Sequence, residues 1–216
     1  MKELKELNIK SIEEIKSLFA EIFTKEPWND DWSDLAQLHE YIMDLIGNRN
    51  SKESAMEYKI RQMYPNEYPY LKKFLYEAIF QKDTETLLPK EIIDEPDLNI
   101  YIENFGKEHD HCLCAEANGR IIGAVWTRII SGYGNIDDVT PEFAISLYKK
   151  YRGKGIGTKM MQEMLSLLKS KGYKKASLSV QKENYAFKMY QNLGFKIIGE
   201  TEEEFIMMYD LTKTVI

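Results

Sequence analysis

The sequence has little cysteine and no long apolar segment. Two cysteines in 216 residues are too few for a disulfide-stabilised scaffold. No apolar run approaches the roughly 20 residues that a membrane-spanning helix needs. The charged residues 1–6 are not followed by the apolar core of a secretory signal. We therefore expect a cytoplasmic protein with no membrane partner.

The chain also lacks an excess of basic residues. The chain has 29 lysines and arginines and 35 acidic residues, so its net charge is −6. This acidic balance argues against a nucleic-acid partner. Hydrophobic residues make up 44% of the chain and aromatic residues 12%, which is ordinary globular usage. The length fits one large domain, or one domain with an appendage.

A metal site is not expected at the one segment that combines histidine with cysteine. His109 and His111 precede Cys112 and Cys114 in a predicted strand. Because side chains alternate between the faces of a strand, the histidines and cysteines point to opposite sides. One zinc ion cannot collect all four, so the sequence predicts two buried cysteines that act as small hydrophobic side chains.

The order of predicted elements indicates an α+β fold with a mixed sheet. Two amphipathic helices at 11–23 and 33–47 precede a polar stretch, so we predict an N-terminal helical segment at 1–54 and a domain at 55–216. Asn118-Gly119 separates two apolar runs and is a strong hairpin signal. The predicted elements of the domain are a strand at 56–63, a helix at 65–80, strands at 112–117, 120–130 and 142–148, a helix at 155–170, a strand at 175–180, a helix at 184–192, and strands at 196–199 and 205–211.

A basic, glycine-rich turn lies between the strand at 142–148 and the helix at 155–170. Backbone N–H groups at a helix N-terminus form a ready anion site, and glycines let an anion approach. Lys149, Lys150, Arg152 and Lys154 reverse the charge of an otherwise acidic chain, as a bound polyanion would require. The spacing fits neither a Walker A loop nor a dinucleotide-binding fingerprint.

What remains is Arg-x-x-Gly-x-Gly, formed by Arg152, Gly155 and Gly157. Downstream come a strand, Asn184 in a turn, a helix with Tyr190, and Leu193-Gly194-Phe195. In these residues the sequence resembles the GNAT superfamily of acyl-CoA-dependent N-acetyltransferases, over about residues 56–211. The resemblance implies a three-layer fold with a central, largely antiparallel, twisted sheet flanked by helices. It also implies an N-acetyltransferase with acetyl-CoA as cosubstrate and no metal.

The resemblance implies roles for particular residues. The pyrophosphate of acetyl-CoA would lie on the turn formed by Arg152, Gly153, Lys154, Gly155, Ile156, Gly157 and Thr158. The pantetheine arm would pair with the strand at Ile145 and Leu147, where a backbone N–H would polarise the thioester carbonyl. Asn184 would contact that arm or the turn near it, and Tyr190 would donate a proton to the departing thiolate.

The acceptor amine must lose a proton before it attacks, because lysine-like amines have a pKa near 10. Glu142 is the favoured base, with Asp137 and Asp138 as alternatives in the preceding loop. In strict alternation Glu142 points away from the face of Phe143, Ile145 and Leu147. The expected acceptor is a small-molecule or protein amine, and the acyl group could be longer than acetyl. The sequence leaves open whether the protein forms a homodimer.

Two other functions compete with the enzyme. One is a catalytically silent CoA-binding regulatory module, against which an intact glycine-rich turn and Tyr190 argue. The other is a protein-interaction role of residues 1–54. Those residues resemble the opening third of a second domain of the same family, or simply a helical cap over apolar surface.

Overall fold

The computed structural model describes residues 56–81 and 87–213. The chain divides into two compact units, Met1–Met56 and Glu57–Ile216. The helices predicted at 11–23 and 33–47, and the partial repeat predicted for residues 1–54, lie outside the described residues. The domain boundary at 54/55 therefore stays a prediction.

A seven-stranded mixed sheet forms the centre of the described domain. Its order is β1-β2-β3-β4-β5-β7-β6, and every neighbouring pair is antiparallel except β4 with β5. The predicted α+β fold with a largely antiparallel sheet is thus confirmed. The strands are β1 Lys59–Gln62, β2 His111–Ala117, β3 Arg120–Arg128, β4 Glu142–Leu147, β5 Lys175–Gln181, β6 Lys196–Glu200 and β7 Glu204–Asp210.

The turn between β2 and β3 forms as its sequence predicts. Asn118 and Gly119 adopt φ angles of 52° and 76°. Two consecutive left-handed residues are what a type I′ hairpin turn requires.

Helices cover both faces of the sheet. The α-helices are α1 Leu71–Ala78, α2 Pro96–Asn99, α3 Ile156–Ser170 and α4 Ala186–Leu193, and 3₁₀ turns lie at Pro65–Tyr70, Lys90–Asp94 and Lys149–Tyr151. The single helix expected at 65–80 begins instead as a 3₁₀ turn. Pro69 inside that turn has no N–H to donate, so regular α-helical bonding starts only at Leu71. Within the described residues, no helix combines the length and the apolar character needed to span a bilayer.

One face of the sheet packs against α1. The buried cluster there includes Phe74 of α1, Trp126 of β3, and both Cys112 and Cys114. His111 lies near Tyr173 instead, with 3.3 Å between its Nε2 and the tyrosine hydroxyl. The cysteines are buried as predicted, and the described residues hold no cluster of three side chains suited to a metal ion.

The opposite face packs against α3. Its buried side chains recur at helical spacing and are Ile156, Met160, Met161, Met164, Leu165 and Leu168. The methionine-rich face therefore belongs to the core. The sheet and its two helical layers place the end of β4, the turn after it and the start of α3 side by side.

Candidate active site

β4 and β5 separate almost as soon as they meet. Their only register pair is Glu142 with Ser177, and the Ser177 N–H donates to Pro141 O at 3.0 Å. The Tyr148 N–H donates to Ile122 of β3, so by alternation the backbone groups of Ile145 and Leu147 point towards β5. Beyond Glu142 the two strands leave a gap edged by the backbone of β4.

The turn after β4, residues 152–158, is called the glycine turn here. Gly153 and Gly155 have φ angles of 74° and 78°, which explains why glycine stands at both positions. A Cβ atom on either would meet nothing within 4 Å. The glycines therefore provide a left-handed backbone next to open space.

The N-terminus of α3 opens onto this turn. Gly155 is its N-cap residue, and no side chain caps the helix. The first N–H groups of a helix have no partner within it, and the helix dipole makes that end positive. The first turn also contains no acidic residue. The N–H groups of Ile156, Gly157 and Thr158 can therefore bind an anion such as a pyrophosphate.

Gly157 serves a different purpose from the two glycines before it. A Cβ atom there would lie 3.3 Å from Leu147 Cδ1 and 3.7 Å from Met189 Sδ. The absence of a side chain thus lets α3 pack closely against β4 and α4.

Arg152 is held within the protein. Its Nε donates to the Leu147 carbonyl at 2.8 Å, and its guanidinium pairs with Glu77 of α1 at 2.7 Å. Burial raises the pKa of Glu77, and the positive charge of Arg152 opposes that rise. Arg152 therefore ties the turn to α1, a contact that the sequence did not predict, and its part in binding the pyrophosphate stays a prediction. Lys154 and Lys149 remain exposed beside the turn.

Tyr190 of α4 lies on the α3 side of the sheet. Its ring packs on Phe195 at 5.9 Å between centroids, and Phe195 packs at 5.9 Å on Phe143 of β4. Tyr190 is 8% exposed, and burial raises its pKa. The phenol therefore keeps its proton at neutral pH, as a general acid must.

Asn184 caps α4. Its Oδ1 accepts a hydrogen bond from the Ala186 N–H at 2.9 Å, and its own N–H donates to the Gln181 carbonyl. The side-chain amide keeps two N–H donors for a ligand. The side chain of Asn184 thus contacts the turn before α4, and its contact with the pantetheine arm stays a prediction.

Glu142 lies on the other face of the sheet and is 2% exposed. Its Oε1 accepts hydrogen bonds from the Gly134 N–H at 2.7 Å and from the Tyr101 hydroxyl. Its Oε2 is buried and makes no hydrogen bond of good geometry to any described residue. Burial raises the pKa of Glu142, while the hydrogen bonds from Tyr101 and Gly134 lower it.

The alternative bases differ from Glu142 in their surroundings. The carboxylate of Asp137 accepts the Val139 N–H at 3.0 Å, and hydrogen bonds from Thr140 and Val139 lower its pKa. It therefore stabilises its own turn as an ionised group. Of the three candidates, Glu142 is the one at the start of the gap between β4 and β5.

Tyr101 was not predicted as part of the site. It lies 41 residues before Glu142 in the chain, just after α2. No motif surrounds it, so only the tertiary structure shows its contact with the carboxylate. A separate groove of about 420 Å³ between β1 and α3 is lined by residues such as Arg61, Leu113 and Glu163, and by none of the predicted site residues.

The sequence model of the acetyltransferase (GNAT) family matches residues 72–195, which is more than half of the chain. The chain belongs to this family. The predicted class of enzyme, an acyl-CoA-dependent N-acetyltransferase, is thereby confirmed. No curated protein matches the sequence.

Solved structures share the fold at low sequence identity. The PaiA N-acetyltransferase of Thermoplasma acidophilum, in complex with coenzyme A, has a TM-score of 0.54 and 23% identity over 72% of this chain and 99% of its own. The ribosomal-protein-S18-alanine N-acetyltransferase of Escherichia coli has a TM-score of 0.52 and 14% identity, covering 73% and 96%. Mutant forms of the spermidine/spermine N-acetyltransferase SpeG of Vibrio cholerae have a TM-score of 0.50 and 18% identity, covering 72% and 94%.

Proposed function

We propose that this protein transfers an acetyl group from acetyl-CoA to a primary amine, by direct attack of the amine on the thioester in a ternary complex. The observation that carries the proposal is the gap between β4 and β5, which leads from the single pair Glu142–Ser177 to the open N-terminus of α3. A long ligand with a polyanionic end fits this arrangement.

Acetyl-CoA places its pyrophosphate on the N–H groups of the glycine turn, with Lys154 adding positive charge. Its pantetheine arm runs along the backbone edge of β4, past Leu147 and Ile145. Six residues of strand span about 17–20 Å. The thioester therefore lies near the pair Glu142–Ser177, where β4 and β5 are hydrogen-bonded neighbours. A backbone N–H of β4 polarises its carbonyl oxygen.

The amine nitrogen attacks the thioester carbon, and the carbon–sulfur bond then breaks. Tyr190 donates its hydroxyl proton to the departing thiolate. Glu142 takes the proton that the amine loses, through an intervening water molecule, because the carboxylate is 2% exposed. The products are the N-acetylated amine and CoA. Buried groups with shifted pKa values suit such proton transfers.

A cationic amine suits the charges on the acceptor side. Glu204 of β7 lies near enough to Glu142 to raise its pKa, so two carboxylates share this region. Negative potential in a cleft raises the local concentration of a positively charged substrate. The named structural relatives act on different amines, a polyamine in one case and a ribosomal protein in another. The shared fold therefore does not determine which amine is the acceptor.

The test begins with acetyl-CoA binding. At 100 times Kd, a ligand adds about 2.7 kcal/mol to the unfolding free energy, which raises Tm by roughly 5–10 °C in a domain of this size. Thiol release is then followed with spermidine, tyramine and a peptide with an N-terminal alanine. We expect acetyl-CoA to stabilise the protein and at least one amine to release thiol.

Tyr190→Phe should lower kcat about 100-fold, since general acid catalysis contributes at least that much, and should leave the Kd of acetyl-CoA unchanged. Tyr209→Phe is the matched control, because Tyr209 packs on the same Phe195 ring at 5.3 Å. Binding without thiol release from any amine would instead support a silent CoA-binding module. The absence of any stabilisation at millimolar acetyl-CoA would refute both.

A further inference from the structure

The loop between β3 and β4 is fastened to the start of the gap by buried polar contacts. Residues 131–135 of this loop are called the inner loop. The Gly134 N–H donates to Glu142 Oε1 at 2.7 Å, and the Tyr133 N–H donates to the Tyr101 hydroxyl at 2.9 Å. The same hydroxyl donates to Glu142 Oε1. One phenol therefore joins the inner loop to the carboxylate on β4.

The position of Tyr101 is itself fixed by β3. Trp126 Nε1 donates to the Tyr101 carbonyl at 3.0 Å. Arg128 donates to the carbonyls of Ile100 and Glu103, each at 2.8 Å. Three hydrogen bonds from buried side chains of one strand thus hold the segment around Tyr101, whose side chain is 7% exposed. The hydroxyl has little freedom to move away from Glu142.

Two glycines let the inner loop come this close. A Cβ atom on Gly134 would lie 2.5 Å from the carbonyl carbon of Leu178 and 2.6 Å from the Ser179 nitrogen, both in the backbone of β5. A Cβ atom on Gly132 would lie 2.7 Å from Glu142 Oε2 and would also collide with the Tyr101 hydroxyl. The loop therefore touches both strands at the point where they separate.

We propose that Tyr101 is a positioning residue of the acetyl transfer, whose hydroxyl holds Glu142 and the inner loop in one arrangement at the acceptor end of the gap. This inference rests on the proposed function, in which Glu142 accepts the proton of the amine. The loop tip then presents Tyr133, which is 49% exposed, to the incoming acceptor. Tyr101 acts through these groups and touches neither substrate.

The groups around Glu142 show why the Tyr101 hydroxyl matters for the ionisation of this carboxylate. Arg128 is the register partner of Glu142 on β3, but its guanidinium pairs with Asp110 at 3.0 Å. Glu204 of β7 opposes ionisation of Glu142, and the backbone N–H groups of Gly132 and Gly134 favour it. Within the described residues, Tyr101 is the side chain that donates a hydrogen bond to this carboxylate. Removal of the hydroxyl should therefore make the carboxylate harder to ionise.

The test compares the wild-type protein with Tyr101→Phe. The carboxyl carbon of Glu142 is titrated by NMR after ¹³C labelling of glutamate, with Glu142→Gln to assign the signal. We expect the midpoint to move to higher pH by about one unit in Tyr101→Phe. The acidic limb of kcat/KM, measured by thiol release with the best amine, should move in the same direction. The KM of the amine should rise several-fold, and the Kd of acetyl-CoA should not change.

Tyr173→Phe is the matched control. Its hydroxyl also joins two polar side chains, His109 at 2.9 Å and His111 at 3.3 Å, but neither belongs to the gap. Neither the Glu142 titration nor the acceptor KM should change in this variant. Should Tyr101→Phe fail to fold, Gly132→Ala displaces the same hydroxyl and is read by the same titration.

An unchanged Glu142 midpoint in folded Tyr101→Phe, together with an unchanged acceptor KM, would overturn the inference while leaving acetyl transfer intact. A wild-type protein that acetylates no amine would instead refute the transfer itself. In that case a shifted midpoint would still show that Tyr101 controls the charge of Glu142, and an unshifted one would remove that role too.

Discussion

Two glycine-containing loops flank β4, and they use glycine for opposite reasons. In the glycine turn, Gly153 and Gly155 have positive φ angles and open space around them. In the inner loop, Gly132 and Gly134 have no such φ angle, but a side chain on either would collide with neighbouring atoms. The first loop leaves open space beside its backbone. The second is shaped by the protein that already surrounds it.

The two loops also differ in the charged groups around them. Exposed lysines and unpaired helix N–H groups lie at the glycine turn. A buried carboxylate and a phenol lie under the inner loop. The two ends of the gap between β4 and β5 thus differ in charge, as the proposed transfer from an anionic cosubstrate to a cationic amine requires.

Gly134→Ala should have the largest effect on stability. The new methyl group would press on backbone atoms of β5, which cannot turn aside as a side chain can. We expect the free energy of unfolding to fall by about 3 kcal/mol, and Tm by roughly 6–12 °C. Urea unfolding and calorimetry measure both.

Gly119→Ala is the comparison for this variant, because its φ is positive and its surroundings are open. It should cost about 1–2 kcal/mol from backbone strain alone. Equal losses in the two variants would mean that crowding is not what requires glycine in the inner loop.

Gly155→Ala should weaken acetyl-CoA binding about 10-fold, because a methyl group and a shifted backbone disturb the anion site at the start of α3. Gly172→Ala is a close match, since Gly172 also has a positive φ and open surroundings but follows the other end of α3. Isothermal titration calorimetry measures the Kd of acetyl-CoA for both variants. Backbone strain is common to the two, so a loss of affinity in Gly155→Ala alone is due to its position at the start of α3. A similar loss of affinity in Gly172→Ala would contradict a ligand site at the glycine turn.

Lys154→Ala should weaken acetyl-CoA binding about three-fold and flatten its salt dependence, because exposed charges act through screened electrostatics. Lys196→Ala removes an exposed lysine from β6 and serves as control. The Kd values are compared between low and high ionic strength. Identical salt slopes for the wild type and Lys154→Ala would remove this lysine from the anion site.

Glu142 should produce a small and distinctive pH dependence of stability. Its pKa is raised in the folded protein, so the folded state binds more protons than the unfolded chain just above the ordinary carboxyl pKa. Its contribution to the unfolding free energy is therefore complete at low pH and is lost as pH rises through the raised pKa. Glu142→Gln should lack this loss, so the difference between wild type and variant changes with pH above about 4.5.

Urea unfolding at a series of pH values measures that difference. Glu67 provides an internal contrast, because hydrogen bonds from Arg61 lower its pKa, and its contribution is lost as pH falls. A difference between wild type and Glu142→Gln that is constant with pH would show that the buried carboxylate is not shifted.

The sequence by itself determined the order of the strands and of the longer helices, the hairpin at Asn118-Gly119, the glycine turn and the family. These features are local: they depend on alternation, on positive φ angles and on residues within a few positions of one another. The boundaries shifted where local chemistry is ambiguous, as at Pro65–Tyr70, where proline replaces regular α-helical bonding with a 3₁₀ turn.

Only the tertiary structure decided which partners the polar side chains take. Arg152 pairs with Glu77 at a distance of 75 residues along the chain, and Tyr101 reaches Glu142 across 41. The collision that requires glycine at 134 involves β5, which follows more than 40 residues later. Such contacts depend on which strands become neighbours in the sheet. No short-range pattern encodes them, because their physical cause is the packing of distant segments.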